Sequence, residues 1–155
     1  MKSVKKVLLL LAFMFVCQIG FAQKKYSKIY ELGEYHKEWA MVKTVAGTYG
    51  FIDANGKVVV NPVYEKIYKF DVIRKNWAMV KSVSGTYGFI DAEGNEVVRP
   101  VYEKIYNFGD YRKDWALVRT VAGTYGFIDS TGKEIVTSNQ TLKQIESQYK
   151  FKVVE

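Results

Sequence analysis

A 38-residue repeat is the feature that most restricts how this 155-residue chain can fold. Trp39, Trp77 and Trp115 are 38 residues apart, and so are the tyrosines that precede Gly-Phe-Ile-Asp, namely Tyr49, Tyr87 and Tyr125. One repeat of this length cannot bury its own hydrophobic face, so neighbouring copies have to pack on each other. We divide the repeat region, 23–137, into units at about 28–65, 66–103 and 104–137.

Each unit has the alternation of side chains that is typical of β-strands. In Trp39–Val45 the even and odd positions form two different faces, and a turn, Ala46–Thr48, separates it from a second strand, Tyr49–Asp53. A third strand, Lys57–Val60, completes an antiparallel meander. We expect Pro62 and Pro100 to end the third strands, and the chain that follows them to be irregular or a short helical turn.

An Asp and a Gly occur in all three copies of the turn between the second and third strands. This pattern predicts a type I turn with an Asp that bonds back to the backbone and a left-handed Gly after it. Asp53-x-Asn55-Gly56 also looks like part of a calcium loop, but Glu93 and Thr131 replace the Asn in the other copies. We therefore predict structural turns and no metal site, at Asp53, Gly56, Asp91, Gly94, Asp129 and Gly132.

The last segment, 138–155, is predicted to be a helical cap and tail. Ser138 or Asn139 could cap a helix that has Leu142, Ile145 and Tyr149 on one face. The predicted fold is an all-β repeat protein of three three-stranded antiparallel meanders stacked in order, with a short C-terminal helix. Closure of the units around a threefold axis, as in a β-trefoil, is the alternative.

The first 22 residues have the pattern of a secretory signal peptide. Lys2, Lys5 and Lys6 precede an apolar run, Val7–Cys17, and cleavage is expected after Ala22. The run is too short for a transmembrane span, and a lipid anchor at Cys17 is not expected because Val16, not a small residue, precedes it. We expect an exported protein, periplasmic or extracellular, with no transmembrane segment in the mature chain.

The repeat resembles the bacterial WG repeat, through Ala40-x-Val42, Tyr49-Gly50-Phe51-Ile52-Asp53, Gly56-Lys57, Pro62-x-Tyr64 and Phe70. Tyr stands here where that family has the Trp before Gly. The resemblance implies β-rich repeats, commonly in exported or surface-associated proteins, and it implies no shared catalytic residue.

Rows of aromatic and basic residues at equal repeat positions are the candidate binding residues: Trp39, Trp77, Trp115, Tyr49, Tyr87, Tyr125, Lys43, Lys81 and Arg119. Such rows also suit a shared core between repeats, and we leave both roles open for the tyrosines. His36 shares its repeat position with Arg74 and Arg112, which suggests a solvated basic site. Gly50, between two aromatic residues, would leave room for a ring on the backbone.

No set of residues indicates catalysis, a cofactor or a phosphate-binding loop. We therefore predict a non-catalytic binding or scaffolding module with a protein partner, and envelope glycan recognition through the aromatic rows as the alternative. Nucleic acid is not an expected partner, because export would remove the protein from it and the predicted mature chain has a net charge of only +4.

Overall fold

The computed structural model describes residues 25–154, so the predicted signal peptide and Cys17 lie outside the described residues. The chain divides into two compact parts. We call them unit 1, which ends at Glu65 and contains the first repeat, and unit 2, which begins at Lys66 and contains the other two repeats. Residues 25–154 are all-β apart from one short helix. The strands are β1 Tyr26–Ile29, β2 Trp39–Thr44, β3 Tyr49–Asp53, β4 Val58–Ile67, β5 Trp77–Ser82, β6 Tyr87–Asp91, β7 Glu96–Ile105, β8 Ala116–Thr120, β9 Tyr125–Ile128 and β10 Glu134–Gln140, and the helix is α1, Leu142–Tyr149.

Unit 1 is an antiparallel meander in which each strand from β1 to β4 pairs with the next. In the β2–β3 hairpin, Met41 pairs with Phe51 and Val42 with Gly50. Paired residues point to the same side of a sheet, so each hairpin has two distinct faces. We call the face with Trp39, Met41 and Phe51, and its equivalents in the other repeats, the aromatic face; the opposite side, with Ala40, Val42 and Ile52, is the aliphatic face.

Unit 2 continues the same order through two repeats, since β6 pairs with β7, β7 with β8 and β9 with β10. Its core explains why the repeats depend on each other. Trp77 and Phe89, on the aromatic face of the second repeat, form one cluster with Ala116, Val118 and Ile128 on the aliphatic face of the third. The predicted stacking of all-β meanders in sequence order is thus confirmed.

The prediction that Pro62 and Pro100 end their strands is wrong. Strands β4 and β7 run through them and are ten residues long. Tyr87 pairs with Tyr102 and Phe89 with Val98, so β7 uses two extra residues, Pro100 among them, in a bulge that bends the strand. A proline is tolerated there because a bulge leaves residues out of the hydrogen-bond ladder.

Gly50 and its equivalents make room for this bulge and not for an aromatic ring. A Cβ on Gly88 would meet the carbonyl oxygen of Val98 and lie 2.7 Å from the nitrogen of Pro100. The hydroxyl of the preceding Thr86 donates to the Pro100 carbonyl oxygen. The bent strand is therefore held against the Tyr-Gly dipeptide by a close backbone approach and a side-chain hydrogen bond.

The C-terminal helix is confirmed, but its cap is Thr141 and not Ser138 or Asn139, which lie in β10. Thr141 Oγ1 accepts from the Gln144 backbone N–H at 3.3 Å, and Gln144 Oε1 accepts from the Thr141 N–H at 2.8 Å. This reciprocal capping box fixes the start of α1. Ser138 has a different role, because its N–H, which a proline would lack, donates to Glu134 Oε1 at 2.7 Å.

The helix and the tail after it cover the aromatic face of the third repeat. Leu117, Tyr125 and Phe127 form one cluster with the buried Ile145, and Leu142, Tyr149, Phe151 and Val153 pack around it. Tyr149 lies 5.2 Å from Phe127 and 6.1 Å from Trp115, between ring centroids. We call residues 141–154 the C-terminal cap.

Candidate functional site

The three repeated Asp residues bond to the backbone of their own turns. Asp91 Oδ1 accepts from the N–H of Glu93 at 3.0 Å and of Asn95 at 2.7 Å. Gly94 follows with a φ of 90°. Asp53 and Gly56 (φ 80°), and Asp129 and Gly132 (φ 86°), repeat this geometry. The Thr131 hydroxyl donates to Asp129 and, with the backbone N–H groups, lowers the pKa of that carboxyl.

Each of these carboxylates accepts hydrogen bonds from the backbone of its own turn, so its role is to stabilise the conformation of that turn. Within residues 25–154, no group of His, Cys, Asp and Glu is arranged to hold a metal ion. In the same range no helix is both long enough and apolar enough to cross a membrane.

The tryptophan row lies largely inside the protein. Trp39 and Trp77 are buried and Trp115 is half-buried, each 5.4–5.7 Å from the Phe that follows Tyr-Gly. A basic residue covers each indole: the His36 ring centroid is 3.9 Å from that of Trp39, and the Arg74 and Arg112 guanidinium carbons are 5.1 and 5.5 Å from their rings. The position shared by His36 and the two arginines thus stacks on tryptophan. Contact of the indoles with a partner stays a prediction.

The tyrosines before Gly differ between repeats in exposure. Tyr49 and Tyr87 are half-buried, whereas Tyr125, under the C-terminal cap, is 5% exposed. Lys43, Lys81 and Arg119 lie at the ends of the neighbouring strands and are half-buried, with Lys43 Nζ 5.3 Å from the Tyr49 ring and the Arg119 guanidinium carbon 6.0 Å from the Tyr125 ring. In the first and third repeats, the tyrosine before Gly therefore has a cation close to its ring.

In unit 1 three half-buried tyrosines form an aromatic cluster. The Tyr30 ring centroid is 6.0 Å from that of Tyr35 and 6.5 Å from that of Tyr49. Lys28 Nζ lies 4.1 Å from the Tyr30 ring. Desolvation, followed by the hydrogen bond between the Tyr30 and Tyr49 side chains, raises the pKa of Tyr30, so its phenol is a neutral hydrogen-bonding group at neutral pH. Of these three tyrosines, only Tyr49 was a candidate binding residue from the sequence.

Unit 2 has a cleft of about 310 Å³ between its two repeats. Met79 and Tyr87 of the second repeat form one wall, and Glu103, Lys104, Ile105 and Arg119 line the rest. Arg119 Nε and Glu103 Oε2 are 3.3 Å apart, a partly exposed ion pair at the rim. Tyr87 and Arg119 were candidates from the sequence. Met79, Glu103 and Ile105 were not, because their meeting depends on β7 continuing beyond Pro100.

The family model for the WG containing repeat matches residues 49–82 and 87–120. Each match begins at a Tyr-Gly and extends through the bent strand into the first strand of the following repeat, so the family unit is displaced from the division that we made at residues 66 and 104. No curated protein and no solved structure matches the chain. Residues 49–82 and 87–120 are therefore similar to the WG containing repeat.

Proposed function

We propose that this protein is an exported, non-catalytic binding module and that its partner is a protein. The WG-repeat match supports a repeat module used for binding. The proposal of export rests on the N-terminal lysines and the apolar run Val7–Cys17, with cleavage after Ala22 and release into the periplasm or outside the cell.

The cleft of unit 2 is the observation that favours a protein partner. Met79 and Ile105 give it apolar walls, while Arg119, Lys104 and Glu103 place charges of both signs at its edge. A protruding aliphatic or aromatic side chain with polar neighbours fits such a surface, because an apolar centre with a polar rim is the usual anatomy of a protein interface. A sugar ring would leave more hydroxyl groups without hydrogen-bond partners there.

The aromatic cluster of unit 1 favours glycan recognition as the second candidate. Tyr30, Tyr35 and Tyr49 provide ring faces, phenol hydroxyls and the neighbouring Lys28 ammonium within one surface. Sugars bind proteins through stacking on aromatic rings combined with hydrogen bonds at the ring edges. This candidate uses a different part of the chain from the cleft, so substitutions can separate the two.

Affinity capture with charge-reversed variants tests the leading proposal. Arg119→Glu should lose a saturable protein partner that the parent protein retains from native-host extract, because it reverses a rim charge next to Glu103. Lys113→Glu, an equal charge change at an exposed residue outside the cleft, should retain the partner. Tyr49→Ala is the corresponding variant for a glycan array. Retention by Arg119→Glu would contradict the cleft as the site, and a sugar response lost in Tyr49→Ala would support the glycan candidate instead.

A further inference from the structure

Exposed valines lie at one end of the hairpin in every repeat. Val83 and Val121, in the hairpin turns after β5 and β8, are 69% and 70% exposed, and Val45, at the same position in unit 1, is 81% exposed. Val101 in unit 2 and Val63 in unit 1, next to the bulged prolines, are also exposed. Single exposed apolar residues are common, but a repeated set at one place in the fold is not accounted for by the core.

The strand register brings the valines of unit 2 to the same edge. Tyr102 pairs with Tyr87 on one side and with Thr120 on the other. The bend at Pro100–Tyr102 therefore lies between the β5–β6 turn and the β8–β9 turn. Val83, Val101 and Val121 thus follow one another along this edge, which we call the valine edge. None of the three lines the cleft of unit 2.

The turns themselves do not require valine. In the β5–β6 turn the Gly85 N–H donates to the Ser82 carbonyl oxygen and Gly85 has a φ of 87°, and in the β6–β7 turn Gly94 repeats both features with Asp91. The position that Val83 occupies in the first turn is Ala92 in the second. The same contrast holds in the third repeat, where the two residues are Val121 and Ser130. Because the same backbone forms with Ala and Ser, the β-branched apolar side chain has another use.

Charge differs between the valine edge and the turns at the opposite end of the hairpins. The three segments of the valine edge in unit 2, residues 81–86, 99–104 and 119–124, contain four Lys or Arg and one Glu, and that Glu is paired with Arg119. The opposite turns, residues 91–96 and 129–134, contain one Lys and five Asp or Glu. Apolar side chains at the tip, with basic residues behind them, are arranged as in proteins that insert into an anionic lipid surface.

We infer that the valine edge of unit 2 docks on an anionic membrane surface, with Val83, Val101 and Val121 entering the interface and Lys81, Arg99 and Lys104 facing the headgroups. The opposite end of the hairpins, being acidic, faces away from the lipid. A second copy of the chain, docking through its acidic turns, is the other occupant that these charges would suit, and the experiment separates it from a membrane.

Vesicle co-sedimentation tests the inference on the chain beginning at Gln23, whose folding is checked by circular dichroism. The parent protein should bind vesicles of phosphatidylglycerol and phosphatidylcholine, and release them as salt is raised. Val83→Asp/Val121→Asp should weaken binding at least tenfold. Asn107→Asp/Gln148→Glu, which makes the same charge change at exposed positions away from the edge, should bind within about threefold of the parent, because the screened charges act only locally.

Three outcomes would overturn the inference. The first is an absence of binding to the anionic vesicles, and the second is an equal loss in both double variants, which would reflect net charge alone. The third is self-association of the parent protein without vesicles, measured by sedimentation velocity and abolished by the valine substitutions, which would identify a second copy as the occupant. Capture of a protein partner through Arg119 is measured in a separate experiment. Failure of vesicle binding would therefore leave the proposed function untouched, and failure of capture would leave this inference untouched.

Discussion

At the scale of single residues, the glycine of each Tyr-Gly dipeptide is fixed by the bulged strand beside it. A Cβ added to any of the three would clash with the carbonyl oxygen of the facing strand and with the residue at the proline position, which is Ser138 in the third copy. The three glycines are Gly50, Gly88 and Gly126. These glycines have no positive φ, unlike the turn glycines such as Gly85. Two glycines three residues apart are thus needed for different reasons: space at Gly88 and backbone conformation at Gly85.

The two causes predict opposite responses to asparagine. Gly88→Ala should lower the free energy of unfolding by about 2 kcal/mol, because the added Cβ displaces backbone atoms, and Gly88→Asn should cost more. Gly85→Ala should cost about 1 kcal/mol, and Gly85→Asn less, because Asn tolerates the left-handed region. Urea denaturation of the four variants measures these differences. An Asn that is milder than Ala at Gly88 would show that close backbone approach is not the constraint.

At the scale of secondary structure elements, Glu146 joins helix α1 to the tail of the C-terminal cap. Its Oε1 accepts from the Val153 N–H at 2.8 Å, and its Oε2 is 3.3 Å from Lys152 Nζ. The Val153 N–H and the Lys152 ammonium lower the pKa of the Glu146 carboxyl. This holds the tail where the Phe151 ring centroid is 4.8 Å from that of Tyr111.

The attachment of the tail should therefore depend on pH. A carboxyl whose pKa is lower in the folded state stabilises the fold above its unfolded pKa, and this contribution is lost as pH falls through the folded value. The Val153 amide resonance should titrate with a midpoint below about 4.3, the ordinary Glu pKa. Glu146→Gln, which keeps an oxygen acceptor, should abolish the titration while the amide shift stays near its neutral-pH value. A midpoint at or above the ordinary value would contradict the assigned contacts.

The strands and the helix also show where sequence reasoning succeeds and where it stops. Strands β2 and β3 follow from alternation, because an alternating hydrophobic and polar pattern has few other folds. The bent β4 and β7 do not, because the rule that proline ends a strand cannot anticipate a bulge that removes the proline from the ladder. Thr141 and Gln144 have the sequence pattern of a capping box. The helix start was nevertheless predicted too early, because Ser138 stands where the other repeats have proline and is itself a common capping residue.

The candidate site was predictable only in part for a related reason. The 38-residue period places equivalent residues in rows, but it does not say which face the next repeat covers. The clusters of unit 2 show that an aromatic face is covered by an aliphatic one, which leaves the indoles inside and the tyrosines and cations at the margin. The sequence did not predict the exposed valines, because β-branched residues next to strands are normally taken as part of the sheet.

At the scale of the whole molecule, the C-terminal cap does for the last repeat what a repeat does for the one before it. Phe108 of the third repeat lies 5.9 Å from Trp77 and 6.3 Å from Phe89, and the Arg74 guanidinium contacts both Trp77 and Phe108. Tyr149 of the cap has the same neighbours one repeat later, namely Trp115, Phe127 and Arg112. The cap thus ends the array by imitating the contacts of a following repeat, as terminal segments of repeat proteins must.

Loss of that imitation should expose the aromatic face of the third repeat. Tyr149→Ala should lower the free energy of unfolding by about 2 kcal/mol, the value for a partly buried ring, and the melting temperature by about 5 °C. It should also shift tryptophan emission to longer wavelength, because Trp115 loses its cover. Lys143→Ala, at an exposed position of the same helix, should change neither. Deletion of residues 141–155 should go further and cause concentration-dependent association in sedimentation velocity, because Leu117 and Phe127, both 0% exposed, become accessible. A truncated chain that stays monomeric with unchanged emission would mean that the third repeat buries its aromatic face without the cap.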